Sequence, residues 1–112
     1  MIDMDVVDEV ATARAMLAPA LAHVQDALAT GALSDRDLIG ALRLGGQLTR
    51  LADSLVVAVT EQIQARSAGP REERLTTRHG TRTVSDLIRT VTRTDSRTAR
   101  AYERAARTAH RE

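Results

Sequence analysis

Five arginines near the end of the chain, Arg97, Arg100, Arg104, Arg107 and Arg111, follow one another at steps of three and four. On a helix such steps hold a single face. Guanidinium groups aligned in this way suit phosphate oxygens, and their planar fork also fits the edge of guanine. Two residues after each of the first four arginines stand Ala99, Tyr102, Ala106 and Ala109. A step of two turns about 200° round a helix, so this second set lies opposite the first. The expectation is a helix over Asp95 to Arg111 with a cationic front and a small apolar back. The competing reading is a solvated face in which Glu103 pairs with Arg100 or Arg107 along the helix.

Other chemistry has little to work with. There is no cysteine, so neither a disulfide framework nor a thiolate metal site can form. His23, His79 and His110 are not spaced with one another or with carboxylates as metal ligands would be. His23 reads as a helix residue, His79 as a loop residue and His110 as the end of a helix. No Ser/His/Asp set, Gly-rich phosphate loop or paired carboxylates stand out. Asp35 and Asp37 are better placed to cap a helix than to catalyse. The sequence therefore predicts no catalytic residue, metal, cofactor or small-molecule substrate.

The composition narrows the class. In 112 residues there is one aromatic, Tyr102, and the apolar share rests on Ala, Leu, Val and Ile. All sixteen basic residues are arginine, the habit of a GC-rich genome. Net charge is +1, but its distribution is uneven. Residues 1–65 set four arginines against nine carboxylates, a net −5, whereas residues 66–112 set twelve against six, a net +6. A basic half suits a polyanion partner such as duplex DNA. Mutual attraction of the two halves, within one molecule or a dimer, is the alternative. No apolar run reaches the roughly 20 residues of a membrane span, and the acidic N-terminus does not read as a secretory signal. A cytoplasmic protein is expected.

The elements that would hold the arginines can be read from periodicity and punctuation. A single domain over 1–112 is expected, divided into long helices (1–67), an exposed connection (68–82) and an Arg-rich helical pair (83–112). Val7, Val10, Leu17, Leu21, Val24 and Leu28 give the first helix, with a kink or break at Leu17–Ala18 ahead of Pro19 and a glycine cap at Gly31. Ser34 caps a second helix reaching Arg66, with Asp37 as its capping-box partner. That helix carries two adjoining apolar rows: Leu38, Leu42, Ala52, Val56, Val59, Ile63 and Ala41, Leu44, Leu48, Leu51, Leu55, Ala58. A face so wide implies a central core element or contact with two neighbours. Leu44, Leu48, Leu51 and Leu55 are the candidate interface of a homodimer. Gly45-Gly46 implies close approach of another backbone, or a local kink. After Ser67-Ala68-Gly69-Pro70 comes a charged stretch with a short helical turn near Glu72–Leu75. Thr83 then caps a short helix, with Asp86 as partner, whose Val84, Leu87, Ile88 and Val91 sit at i, i+3, i+4 and i+7. Thr94 or Asp95 caps the last helix.

The expected fold is thus all-α: a small bundle with a long antiparallel helix pair and a C-terminal helix-turn-helix-like pair, lacking the usual turn glycine. In it Arg93, Arg97, Arg100, Arg104 and Arg107 would contact nucleic acid, with Arg78, Arg82 and Arg89 flanking.

From Leu33 onward the chain also resembles a known family. Leu33-Ser-Asp-Arg-Asp-Leu38, His79-Gly80-Thr-Arg-Thr-Val-Ser-Asp-Leu87, Thr94-Asp-Ser-Arg-Thr-Ala99 and Tyr102-Glu-Arg-Ala-Ala106 are similar to the helical domain of unknown function that precedes the nuclease of actinobacterial HNH endonucleases. The likeness spans about two-thirds of the chain. It implies a helical accessory module of DNA-processing proteins. Family members carry a nuclease with His, Asn and His after this domain; these 112 residues contain no Asn, so no nuclease residue carries over. The function expected is a non-enzymatic DNA-binding or regulatory module. The alternative is a homodimerisation or protein-interaction module without nucleic-acid contact.

Overall fold

A computed structural model describes residues 4–70 and 74–111. Asp3 and Arg71 to Glu73 lie outside the described residues, as do the side chains of His110 and Arg111. The chain is all-α, as its periodicity predicts. Five helices are described: α1 (Met4–Ala29), α2 (Asp35–Arg66), α3 (Leu75–Arg78), α4 (Val84–Thr92) and α5 (Ser96–Arg111). None is long and apolar enough to cross a membrane. Two compact units divide within α2, Met1–Leu44 and Gly45–Glu112.

In the first unit the turn between α1 and α2 follows from three residues. Gly31 takes φ 70°, the left-handed region open to glycine. Its N–H donates to Leu28 O at 3.1 Å and the next, Ala32 N–H, donates to Ala27 O at 3.0 Å, the paired bonds of a Schellman ending. Ser34 then opens α2, its hydroxyl accepting from Asp37 N–H at 3.2 Å. The break expected at Leu17–Ala18 is absent: α1 runs on through Pro19. Pro19 costs one hydrogen bond, and the residues around it are exposed, so water can serve the freed carbonyl.

Two further expectations about α2 are corrected. Among the described residues no other backbone comes close to Gly45 or Gly46; a Cβ at Gly45 would meet nothing within 4 Å and one at Gly46 only the tip of Arg50. The apolar rows are also far from being a core. Thr60 is the only buried residue of α2, Val56 and Ile63 are half-buried, and the remaining leucines are mostly open to solvent.

The core of the second unit sits where α4 packs on α5. Leu87 and Ile88 of α4 and Ala99 and Ala106 of α5 are all buried. Of the four apolar residues at helical spacing in α4, Val84 is half-buried and Val91 is exposed. The connection expected to be exposed over 68–82 is only partly so. The helical turn expected near Glu72–Leu75 falls largely outside the described residues; α3 begins at Leu75, and Thr76 within it is buried. The Thr76 carbonyl gathers the His79 N–H, the Thr81 N–H and the Thr81 hydroxyl, which folds this segment back on itself.

Candidate nucleic-acid interface

Asp95 caps helix α5, which settles the choice between Thr94 and Asp95. The Asp95 carboxylate accepts the Thr98 N–H at 2.7 Å. That backbone hydrogen bond, with a smaller share from the Thr98 hydroxyl, holds its carboxyl below the ordinary range. Helix α4 begins at Thr83, whose hydroxyl accepts from Asp86 N–H at 3.1 Å. It ends at Arg93, which adopts φ 58°, ψ 34°. Arg93 therefore occupies the left-handed position that a turn glycine would otherwise fill. Only Arg93, Thr94 and Asp95 separate α4 from α5.

The buried side of α5 is Ala99, Tyr102, Glu103 and Ala106, at i, i+3, i+4 and i+7. Ala99 and Ala106 are both 0 % exposed. Their small side chains suit the packing of α5 on α4. Around them, three polar links fix α5 in place. The Tyr102 hydroxyl donates to Asp53 Oδ1 at 2.7 Å. This bond to a carboxylate, aided by partial desolvation, raises the phenol above its usual 10.0. The Gln64 side-chain amide donates to the Glu103 carbonyl at 2.9 Å. The Glu103 carboxylate takes the Ser85 N–H at 3.1 Å through one oxygen and Arg107 at 2.7 Å through the other.

Glu103 is the residue that sequence reasoning misreads. It does pair with Arg107, as the solvated reading allows, but its side chain is only 16 % exposed. Its other oxygen caps α4 from across the turn, serving an amide that has no partner within its own helix. The short Thr83 hydroxyl serves the Asp86 amide of that first turn, and Glu103 serves the Ser85 amide.

On the outer side of α5, Arg97, Arg100 and Arg104 are exposed. With 100° per residue, Arg97 and Arg104 point away from the Ala99–Ala106 seam, while Arg100 and Arg107 stand on the flank nearest Glu103. Among the described residues none of Arg97, Arg100 and Arg104 has a carboxylate within 4.0 Å. Arg93 is exposed in the turn just ahead of them. Arg107 belongs to the same face but is engaged by Glu103. The flanking residues are less unified: Arg89 lies 4.0 Å from Asp86, and Arg78 and Arg82 are exposed on the segment before α4.

The candidate interface leucines are not gathered into a buried seam. Leu44 in the first unit is 61 % exposed. Leu51 and Leu55 in the second are 68 % and 50 % exposed, and Leu48 is half-buried. Among the described residues no three His, Asp or Glu side chains form a metal-binding group.

No family model matches the chain, and no curated protein or solved structure matches it.

Proposed function

We propose that this chain is a non-enzymatic DNA-binding or regulatory module, an accessory of a DNA-processing protein of the HNH endonuclease-like kind that its sequence resembles. The observation that carries this reading is the state of Arg97, Arg100 and Arg104. They share the outward side of a helix whose inward side is held by Ala99, Ala106 and Glu103. The helix sets the spacing of these guanidinium groups in advance, and what ordering remains is that of the side chains themselves. α4 packs on α5 and is joined to it by three residues, as in a helix-turn-helix, whose second helix enters the major groove. Arg93 adds a further phosphate contact, and Arg107 is available after exchange with Glu103. The face offers no Asn or Gln for adenine, so binding is mainly electrostatic and salt-sensitive.

The test is duplex affinity across a salt series, for the wild type, Arg100→Ala and Arg104→Ala. Each substitution should weaken binding uniformly across sequences and reduce the salt slope by about 1. A wild type that leaves duplex DNA unbound even at low salt would end this reading.

A second reading is favoured by the exposure of Leu51 and Leu55. Exposed apolar surface on this scale marks an interaction site, and self-association of the chain would cover it. Light scattering should then show a dimer that Leu48→Gln with Leu55→Gln dissociates.

A further inference from the structure

In the first unit, every residue of α1 from Asp5 to Ala29 is exposed except Ala27, which is half-buried. A 26-residue helix interrupted by Pro19 is not sustained by propensity alone; helices draw most of their stability from the packing of an apolar face. Within its unit α1 has little to pack on. The ten residues of α2 that share the unit, Asp35 to Leu44, span about 15 Å against about 39 Å for α1.

The open face has a specific period. Val7, Val10, Arg14, Leu17, Leu21, Val24 and Leu28 follow at strictly alternating steps of three and four, the seam positions of a coiled coil. This is narrower than the stripe a helix turns toward a globular core. The positions flanking the seam hold Val6, Gln25 and five alanines. No charge stands there, and the small side chains let a second helix come close. Asp5, Asp8, Glu9 and Asp26 all fall on the outer side of the helix, as does Pro19.

Such a seam takes another helix, and its charges select which one and which way round. Flanking charges ordinarily bar a coiled-coil helix from its own copy; α1 has none, so its seam is self-complementary. In a parallel pair Arg14 would face Arg14 in one layer, and the acidic first turns would lie together. In an antiparallel pair with Leu17 level with Leu21, Val10 lies level with Leu28 and Arg14 with Val24. The two Arg14 then stand ten residues apart, about 15 Å. Each lays its stem over Val24 and carries its head to water. Sliding the pair by one heptad toward the N-termini would bring the two Arg14 within three residues of each other.

We propose that α1 pairs antiparallel with α1 of a second copy of the chain, Leu17 against Leu21. The overlap, residues 9–29 of each copy, is about 30 Å long. Two helices alone make a contact at the small end of specific interfaces, so the dimer is reversible and concentration-dependent. This contact uses neither the α2 leucines of the second reading above nor the arginine face of α5.

The chain contains no cysteine, which makes a direct test simple. Full-length Leu17→Cys carrying a size tag is mixed with untagged Leu21→Cys and oxidised. Sedimentation over a concentration series follows the wild type, Leu21→Asp, Arg14→Leu and Met16→Glu. Met16, Leu17 and Leu21 are exposed within the chain, and circular dichroism checks that each variant keeps its helices. The expected result is a wild-type dimer, weakened at least about tenfold by Leu21→Asp, tightened by a similar factor by Arg14→Leu and unmoved by the outer Met16→Glu. The tagged–untagged disulfide should outpace both homodisulfides. A wild type that stays monomeric at every concentration overturns this pairing and the second reading together. A dimer indifferent to Leu21→Asp and Arg14→Leu overturns this pairing alone and leaves the α2 leucines as the contact. Homodisulfides of the Leu17→Cys variant that form faster than the mixed one overturn the antiparallel register.

Discussion

Replacing Glu103 by alanine tests how α5 is held. The carboxylate makes two bonds of different worth. Its bond to Ser85 N–H, at 3.1 Å, caps the start of α4 from a side chain only 16 % exposed. Losing a cap of this kind costs about 1–2 kcal/mol. Its bond to Arg107 is shorter, at 2.7 Å, but Arg107 is 57 % exposed, and an ion pair along a helix is then worth about 0.3–0.5 kcal/mol. Alanine returns a few tenths of a kcal/mol through helix propensity. The net loss should be about 1–2 kcal/mol, equivalent to roughly 4–8 °C of melting temperature per kcal/mol in a domain of this size. Urea and thermal unfolding followed by far-ultraviolet circular dichroism would measure it. Glu103→Gln keeps an acceptor without the charge and should lose about half as much, on the order of 0.5–1 kcal/mol. Arg107→Ala should cost no more than about 0.5 kcal/mol, and its coupling to Glu103→Ala should be of the same small size. If Glu103→Ala and Arg107→Ala cost the same, the carboxylate is only an ion-pair partner and the tertiary cap does not operate.

Arg93→Gly should raise stability by about 0.5–1 kcal/mol, because it removes the strain of a side chain in the left-handed region. The same change should weaken duplex binding by the loss of one cation, so melting temperature and affinity would move in opposite directions. Asp53→Asn should lower the titration midpoint of the Tyr102 phenol toward its ordinary value, read by ultraviolet absorbance. Because folding raises that midpoint, the Tyr102–Asp53 contribution is fully present below pH 10.0, the unfolded value, and is lost as pH climbs through the higher folded one. Wild type and Asp53→Asn should therefore converge in stability only in strongly alkaline solution.

What could be read from the sequence was local. Gly31, Ser34 and Thr83 act within four residues of themselves, and each does what its chemistry indicates. The arginine steps of three and four likewise need only a helix, and α5 supplies it. Contacts between distant residues were not legible. Ser85 and Glu103 are 18 residues apart and Asp53 and Tyr102 are 49 apart, and nothing in the spacing of either pair announces the link. Burial along α2 was misjudged for a related reason. Periodicity shows that one side of a helix is apolar, but not that anything covers it. The Gly45-Gly46 pair suggests a packing explanation that no neighbouring backbone among the described residues supplies.

Tyr102 is the sole aromatic residue, and its hydroxyl is tied to the carboxylate of Asp53 on α2. The protein's intrinsic emission therefore originates entirely at one junction, beneath the helix that carries the exposed arginines. A phenol bonded to a carboxylate is quenched, so any event that tilts α5 off α2 will brighten the whole spectrum without an added label. Titrating duplex DNA, salt or a second copy against that signal would separate ligands that merely touch the outer surface from those that shift its foundation.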